Sequence, residues 1–252
     1  MAVTCALTLR EVYHLPLRST QGLVRSVLRL LGSDLPAPHY STLSRRAASL
    51  DVRLERRGAG PLRLAVDSTG VKLYGEGEWK VRTHGADKRR TWRKLHLLID
   101  HRTHEAVACS MSEQYVLDRK ELPGLLREVE GDVAELLGDG AHDFHDCYRA
   151  IHERGARSVI PPKKRARVRG EPEFRDRDAA VLRAREVGRD EWKKEAGYHR
   201  RSLAETAVMR FKTIFSDKLR AREWRRQGTE LRVRCAAMNK MTGLGMPHSY
   251  AV

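Results

Sequence analysis

The chain has 252 residues, 40% of them hydrophobic, which is enough for a sizeable core and excludes disorder throughout. Lysine and arginine number 49 against 33 aspartates and glutamates, a formal charge of +16, so a polyanionic partner is expected, nucleic acid ahead of an anionic membrane surface. No run approaches the roughly 18 apolar residues of a membrane span and the start lacks a cleavable leader pattern, so a cytoplasmic, nucleoid-associated protein is expected.

Thr8-Leu9-Arg10-Glu11 has capping-box form and predicts a short helix through Val12 and Tyr13 that Pro16 stops. A second helical run, Leu23 to Leu31, ends at Gly32, and a third begins at Tyr40 with Leu43, Ala47 and Leu50 on one side. Helix, turn, helix with Arg45 and Arg46 projecting fits a helix-turn-helix that touches DNA, and fits equally a small bundle with a solvated basic face. Arg53 to Gly60 reads as a linker.

Leu62 to Asp67 is a strand pattern expected to turn at Ser68-Thr69-Gly70, delivering a carboxylate at its end; a satisfied turn aspartate has the same pattern. Between Trp79 and Lys94 the chain packs Lys80, Arg82, Lys88, Arg89, Arg90, Arg93 and Lys94 around Trp79, His84 and Trp92. Cations on phosphates with aromatics on bases is how DNA strands are gripped, although a solvated basic hairpin has the same composition. Leu95 to Asp100 and Glu105 to Ser110 read as two strands, Leu122 to Val129 as a helix extending back to Asp118, and Val133 to Asp139 as a fourth strand ending on a carboxylate. Three strands, a helix and a strand, with Asp67 on the first strand and Asp139 just after the fourth, is the ribonuclease-H-like order.

Cys147 to Arg154 reads as a helix and Ser158 to Ile160 as a short fifth strand. His142, His145 and Cys147 lack a fourth ligand and sit where a helix begins, so zinc is not expected, and with no CxxC pair the four cysteines are read as free thiols. Residues 163–194 are highly charged and read as an insertion, helical around Val181 to Val187. Next comes a predicted amphipathic helix starting at Tyr198, in which Tyr198, Arg201, Glu205 and Lys212 fall within about 60° of one another. Leu203, Ala207, Phe211 and Ile214 lie opposite. Taken alone, Arg201 and Glu205 also fit an ordinary i,i+4 surface pair. Leu219 to Arg226 and Leu231 to Met241 are expected as further helices.

Three carboxylates from two strand ends and a helix face can hold two Mg²⁺ ions about 4 Å apart, with Mn²⁺ as a substitute. The spacing Tyr198, Arg201, Glu205, Lys212 resembles the signature around the third carboxylate of DDE transposases. With Gln21-Gly22, Pro38 to Arg46, Asp67-Ser68-Thr69-Gly70, Gly75 to Trp79, Lys88 to Lys94, Gly138 to Ala141 and Ile160-Pro161-Pro162, the chain resembles the bacterial insertion-sequence transposases of the group named after insertion sequence 5. That resemblance implies a mixed α/β, ribonuclease-H-like sheet flanked by helices, in which Asp67, Asp139 and Glu205 are the metal ligands. Arg201 and Lys212 would reach phosphates beside the scissile bond, and Tyr198 would stack or hydrogen-bond there. It further implies double-stranded DNA partners, the element's terminal inverted repeats and a target, brought together by a homodimer.

The expected organisation is a helical DNA-binding region over 1–60 and a catalytic domain over 61–252. Members of the group carry more chain ahead of the position equivalent to Met1, so a shortened end-binding region is expected. Two other readings remain open at this stage: a nuclease that cuts without joining, and a relic that binds DNA without catalysis.

Overall fold

The computed structural model describes residues 2–56, 58–73 and 92–245. In chain order its elements are α1 (Ala2–Val12), α2 (Leu17–Leu30), α3 (Tyr40–Arg46), β1 (Leu62–Leu73), β2 (Trp92–Asp100), β3 (Glu105–Glu113), α4 (Asp118–Glu128), β4 (Val133–Leu137), α5 (His145–Glu153), β5 (Arg157–Val159), α6 (Arg175–Glu186), α7 (Arg189–Glu195), α8 (Ser202–Phe215), β6 (Lys218–Leu219) and α9 (Trp224–Gly243). Contacts divide the chain into two compact units: Met1–Glu55, Val71–Arg93 and Phe211–Val252 form one, Arg56–Gly70 and Lys94–Arg210 the other. Among the described residues no helix is long and apolar enough to cross a membrane.

In the first unit α1, α2, α3 and α9 pack around Leu7, Leu43, Val52 and Val233. Helix α1 starts at Ala2 rather than at Thr8, because Ala6 and Leu7 are core residues that extend its apolar face backwards. Helix α2 begins directly behind Pro16, whose φ of −62° is pre-set for a helix start. The α3 run is fastened from two sides: the Tyr40 N–H donates to Gln21 Oε1 at 3.0 Å, and the Arg18 guanidinium lies 4.1 Å from the Tyr40 ring centre. Leu219 sits in β6, paired in parallel with Leu73 of β1, instead of opening a helix. A single helix, α9, then replaces the expected pair. Within it Arg234 is buried and pairs with Glu11 at 2.8 Å and with Glu230 one turn back, a charged cluster inside the helical core.

The second unit holds the sheet order β3-β2-β1-β4-β5, with β1, β4 and β5 parallel. Leu64, Val66, Leu98 and Leu136 from the strands meet Leu122, Leu125 and Leu126 of α4 and Tyr148 and Ile151 of α5 in one core cluster. Burial of this apolar surface is the main source of the unit's stability. The mixed α/β architecture with helices flanking a mixed sheet is the one read from the sequence. Within 163–194, α6 and α7 bury Val181 and Trp192, and the Asp178 carboxylate accepts the Arg169 and Gly170 N–H groups at 2.9 and 2.8 Å.

Strand β1 differs from the expectation in a way that matters. It does not turn at Ser68-Thr69-Gly70 but continues to Leu73. Thr69 and Val71 are buried and Lys72 pairs with Lys218, so the continued strand has both packing and a partner. Asp67 is therefore a mid-strand residue, held on both sides by regular backbone.

Candidate catalytic carboxylate site

The position of Asp67 beside Asp139 follows from strand register. Parallel β1 and β4 pair Ala65 with Leu137, and β4 ends there. Asp67 and Asp139 each lie two residues beyond that pair, so they leave adjacent parallel strands in step, at the carboxyl end of β4. This is the end of a parallel sheet at which α/β proteins place their sites.

Asp139 has extended backbone, φ −78° and ψ 176°, and opens a 3-10 turn, Gly140–His142. Its Oδ1 accepts the Ala141 N–H at 3.0 Å and lies 2.8 Å from His142 Nδ1. An ionised carboxylate only accepts, so Nδ1 carries the proton in this contact. The histidine hydrogen bond, ahead of the opposing effect of burial, keeps the Asp139 carboxyl below its usual range. Asp67 is shifted the other way: burial raises it, with the charges of Glu205 and Asp139 adding, against the Ser68 N–H and the Arg201 guanidinium. The two neighbouring carboxyls thus hold their protons unequally.

The third carboxylate comes from a two-part element. The predicted helix from Tyr198 is a 3-10 turn over Tyr198–Arg201 followed by α8 from Ser202, so the α-helix starts at the serine that the sequence reading had placed inside it. In a 3-10 turn residues i and i+3 eclipse, which keeps Tyr198 and Arg201 on one face; the guanidinium carbon lies 5.8 Å from the phenol ring centre. Glu205 falls in the first turn of α8, where the helix dipole favours a carboxylate. Arg201 reaches Asp67 Oδ1 at 3.9 Å and pairs with Glu205 across one turn. Burial raises the Tyr198 hydroxyl, and Asp139 adds to that direction against Arg201.

The turn is anchored from below. Arg200 donates through Nη1 to Glu135 Oε1 at 3.0 Å and through Nη2 to Oε2 at 3.4 Å, and through Nε to the Gly197 carbonyl at 3.1 Å. Glu135 is a buried β4 residue that also accepts from His101 at 3.0 Å and Arg63 at 3.3 Å. Gly197 is left-handed at φ 67°, a conformation that favours glycine, and a Cβ there would come within 2.7 Å of Arg200 Nη2 and displace the guanidinium from its place. One strand, β4, therefore leads to the second carboxylate and ties down the turn that leads to the third.

Lys212 is exposed in the last turn of α8, where its charge lowers the Asp217 carboxyl, after the Lys72 hydrogen bond. Arg45 and Arg46 are exposed at the end of α3. Trp79, Lys80, Arg82, Lys88, Arg89 and Arg90 lie outside the described residues. Of the rest of that basic stretch, Trp92 faces Lys72 Nζ at 5.2 Å, Arg93 donates to Gln227 at 3.2 Å and stacks on Trp224, and Lys94 donates to Val116 O and Asp118 at 2.8 and 3.0 Å. The sequence gives Glu135 and Arg200 no role and weighs His142 only as a zinc ligand; a glutamate inside the apolar run Val133–Leu137 is the one visible signal. The residues considered for zinc separate: His142 serves Asp139, while Cys147 is buried with its thiol pushed up to about 12 by desolvation. His145 instead brings a ligand atom within 4.8 Å of Glu171 and Glu173.

Asp67, Asp139 and Glu205 all lie in the field of Arg201 and offer the oxygen atoms that hard divalent cations take, but among the described residues their ligand atoms are not drawn within 4.8 Å of one another as those of His145, Glu171 and Glu173 are. Carboxylates at the end of a mixed sheet fit an enzyme of the polynucleotidyl transferase class, and comparison with known families assigns that class. Two family models, both described as transposase DDE domain, match the chain, one over residues 1–76 and the other over 58–240. The chain belongs to the DDE transposase family, whose substrate is DNA and whose chemistry uses divalent metal.

Proposed function

We propose that this transposase, of the insertion sequence 5 group, cuts DNA at the ends of an insertion-sequence element and joins the freed 3′ ends to a target, with Asp67, Asp139 and Glu205 as ligands of two Mg²⁺ ions. The observation that carries the reading is the register of β1 and β4, which brings Asp67 and Asp139 out in step, together with Arg201, which reaches from Asp67 to Glu205. Bound divalent ions supply activation of a water or 3′-hydroxyl and stabilisation of the leaving oxygen.

The chain's own residues do the rest. Asp139 stays ionised and presents Oδ2 as a ligand atom, because both of its hydrogen bonds fall on Oδ1. Arg201 balances Asp67 and Glu205 in the resting site; as their charge is taken up, its guanidinium turns to the scissile phosphate, beside the Tyr198 ring. Helices α1–α3, with Arg45 and Arg46 at the exposed end of α3, bind the terminal inverted repeats, and two chains pair the two ends.

The test is Mg²⁺-dependent cleavage of a labelled duplex carrying the flanking inverted repeat, by wild type and Glu205→Ala. Cleavage that disappears in Glu205→Ala with DNA binding retained supports the reading, and joining of the 3′ end to a second duplex separates a transposase from a nuclease. If both proteins bind and neither cuts, the chain is a DNA-binding relic and the catalytic reading fails.

A further inference from the structure

His142 is used by no step of the proposed reaction, yet three features converge on it. Its ring is almost wholly buried, 4% exposed, and Nδ1 donates to Asp139 Oδ1 at 2.8 Å. Nε2 is buried without a hydrogen-bond partner, so the Asp139 contact is the side-chain bond that orients the ring. The backbone leaves room for it: a Cβ on Gly138 would come within 3.3 Å of His142 Cβ, 3.4 Å of His142 Cγ and 3.3 Å of Val66 Cγ1. Gly138 has no positive φ to explain it, and its N–H is pinned to the Val159 carbonyl at 3.2 Å. A side chain at this position would crowd His142 and Val66 equally, each by a few tenths of an ångström.

A carboxylate that begins a turn, 47% exposed, has freedom about χ2 that a metal ligand has to lose. Two donors on Oδ1, the Ala141 N–H and the imidazole, remove that freedom and leave Oδ2 free to ligate. We propose that His142 is a positioning residue for Asp139, fixing the carboxylate for divalent-ion binding. This rests on the reading of Asp139 as a metal ligand. Partners of this kind around metal sites typically account for 10- to 100-fold in metal affinity.

The experiment is Mn²⁺ binding to the full chain, followed by the electron paramagnetic resonance signal of free Mn²⁺, with thermal unfolding in parallel. Proteins compared are wild type, Asp139→Asn, His142→Phe, His142→Asn and Gly138→Ala. His142→Phe keeps a ring but no donor and is expected to weaken Mn²⁺ binding by about 10- to 100-fold. His142→Asn places an amide N–H where Nδ1 stands and restores most of the affinity. Gly138→Ala, which crowds the ring without changing a donor, weakens binding in the same direction and decides the matter if His142→Phe does not fold. Wild-type affinity in both His142→Phe and Gly138→Ala overturns the proposal, as does a His142→Asn no better than His142→Phe, which would make the ring packing rather than a hydrogen bond. A wild-type chain that binds no Mn²⁺, or an Asp139→Asn chain that binds it equally well, sinks the metal reading of Asp139 itself, a result distinct from failure at His142 alone.

Discussion

Glu135→Gln tests whether β4 anchors the turn that carries Arg201 and Glu205. The wild-type carboxylate is 5% exposed and takes four donor contacts, one from His101, one from Arg63 and two from Arg200. Gln keeps the shape and removes the charge. Breaking a fully buried pair costs about 3–5 kcal/mol, but Arg63 is 46% and Arg200 29% exposed and both regain water. The expected loss is therefore about 2–3 kcal/mol, read as a fall of roughly 5–10 °C in thermal midpoint for a chain of this size. Burial raises the Glu135 carboxyl, but the His101 hydrogen bond and the charges of Arg200 and Arg63 outweigh it and hold the group below its usual value. Its contribution is then complete above the unfolded carboxyl pKa, about 4.3, and is lost as pH falls through the lower folded value. The gap between wild type and Glu135→Gln should be constant from about pH 5.5 to 7.5 and close below about pH 4. Circular dichroism melts across that range measure it, and a double-mutant cycle with Arg200→Gln isolates the pair that reaches the turn. Coupling below about 0.5 kcal/mol between the two positions, or a gap that widens in acid, would refute the anchoring argument.

Other consequences are testable with the same protein. Burial raises Asp67, so a proton competes with a cation there at higher pH than for an ordinary carboxyl. On the proposed reading Mn²⁺ affinity should begin to fall at a higher pH than an unperturbed aspartate would give, and Asp67→Asn should bind Mn²⁺ weakly at every pH; an Asp67→Asn chain that binds like wild type contradicts it. Gly197→Ala has to adopt a left-handed backbone against Arg200, and is expected to cost about 1–3 kcal/mol and to impair cleavage more than DNA binding. An unchanged melt removes the steric argument. Cys5 is exposed while Cys109, Cys147 and Cys235 are buried, the Cys147 thiol being pushed up to about 12. Ellman's reagent should therefore titrate one thiol in the native chain and four after denaturation.

Why some of this was legible in the sequence and some not is a matter of range. Strands β1, β2, β3 and β4 and helix α4 announce themselves through local apolar patterns, and Asp67 and Asp139 stand out as carboxylates closing such patterns. The spacing from Tyr198 to Glu205 survives even though its first four residues are 3-10 rather than α, because a step of three keeps a common face in either helix. The continuation of β1 past Asp67 was not legible: Ser68-Thr69-Gly70 is turn chemistry taken alone, and the strand's far end, Lys72 and Leu73, pairs with β6, 146 positions on. The buried ionic contacts hid for the same reason. Glu135 reads as a misplaced charge in an apolar strand, and only the folded register shows that it faces Arg200, 65 positions on. A charged residue at an inward strand position is tolerated when its hydrogen bonds are filled, and here the filling groups include the residue next to Arg201. The site thus uses β4 twice, once through its register with β1 and once through Glu135. Displacing that strand by one residue would lose the step between Asp67 and Asp139 and the anchor of the Glu205 helix together.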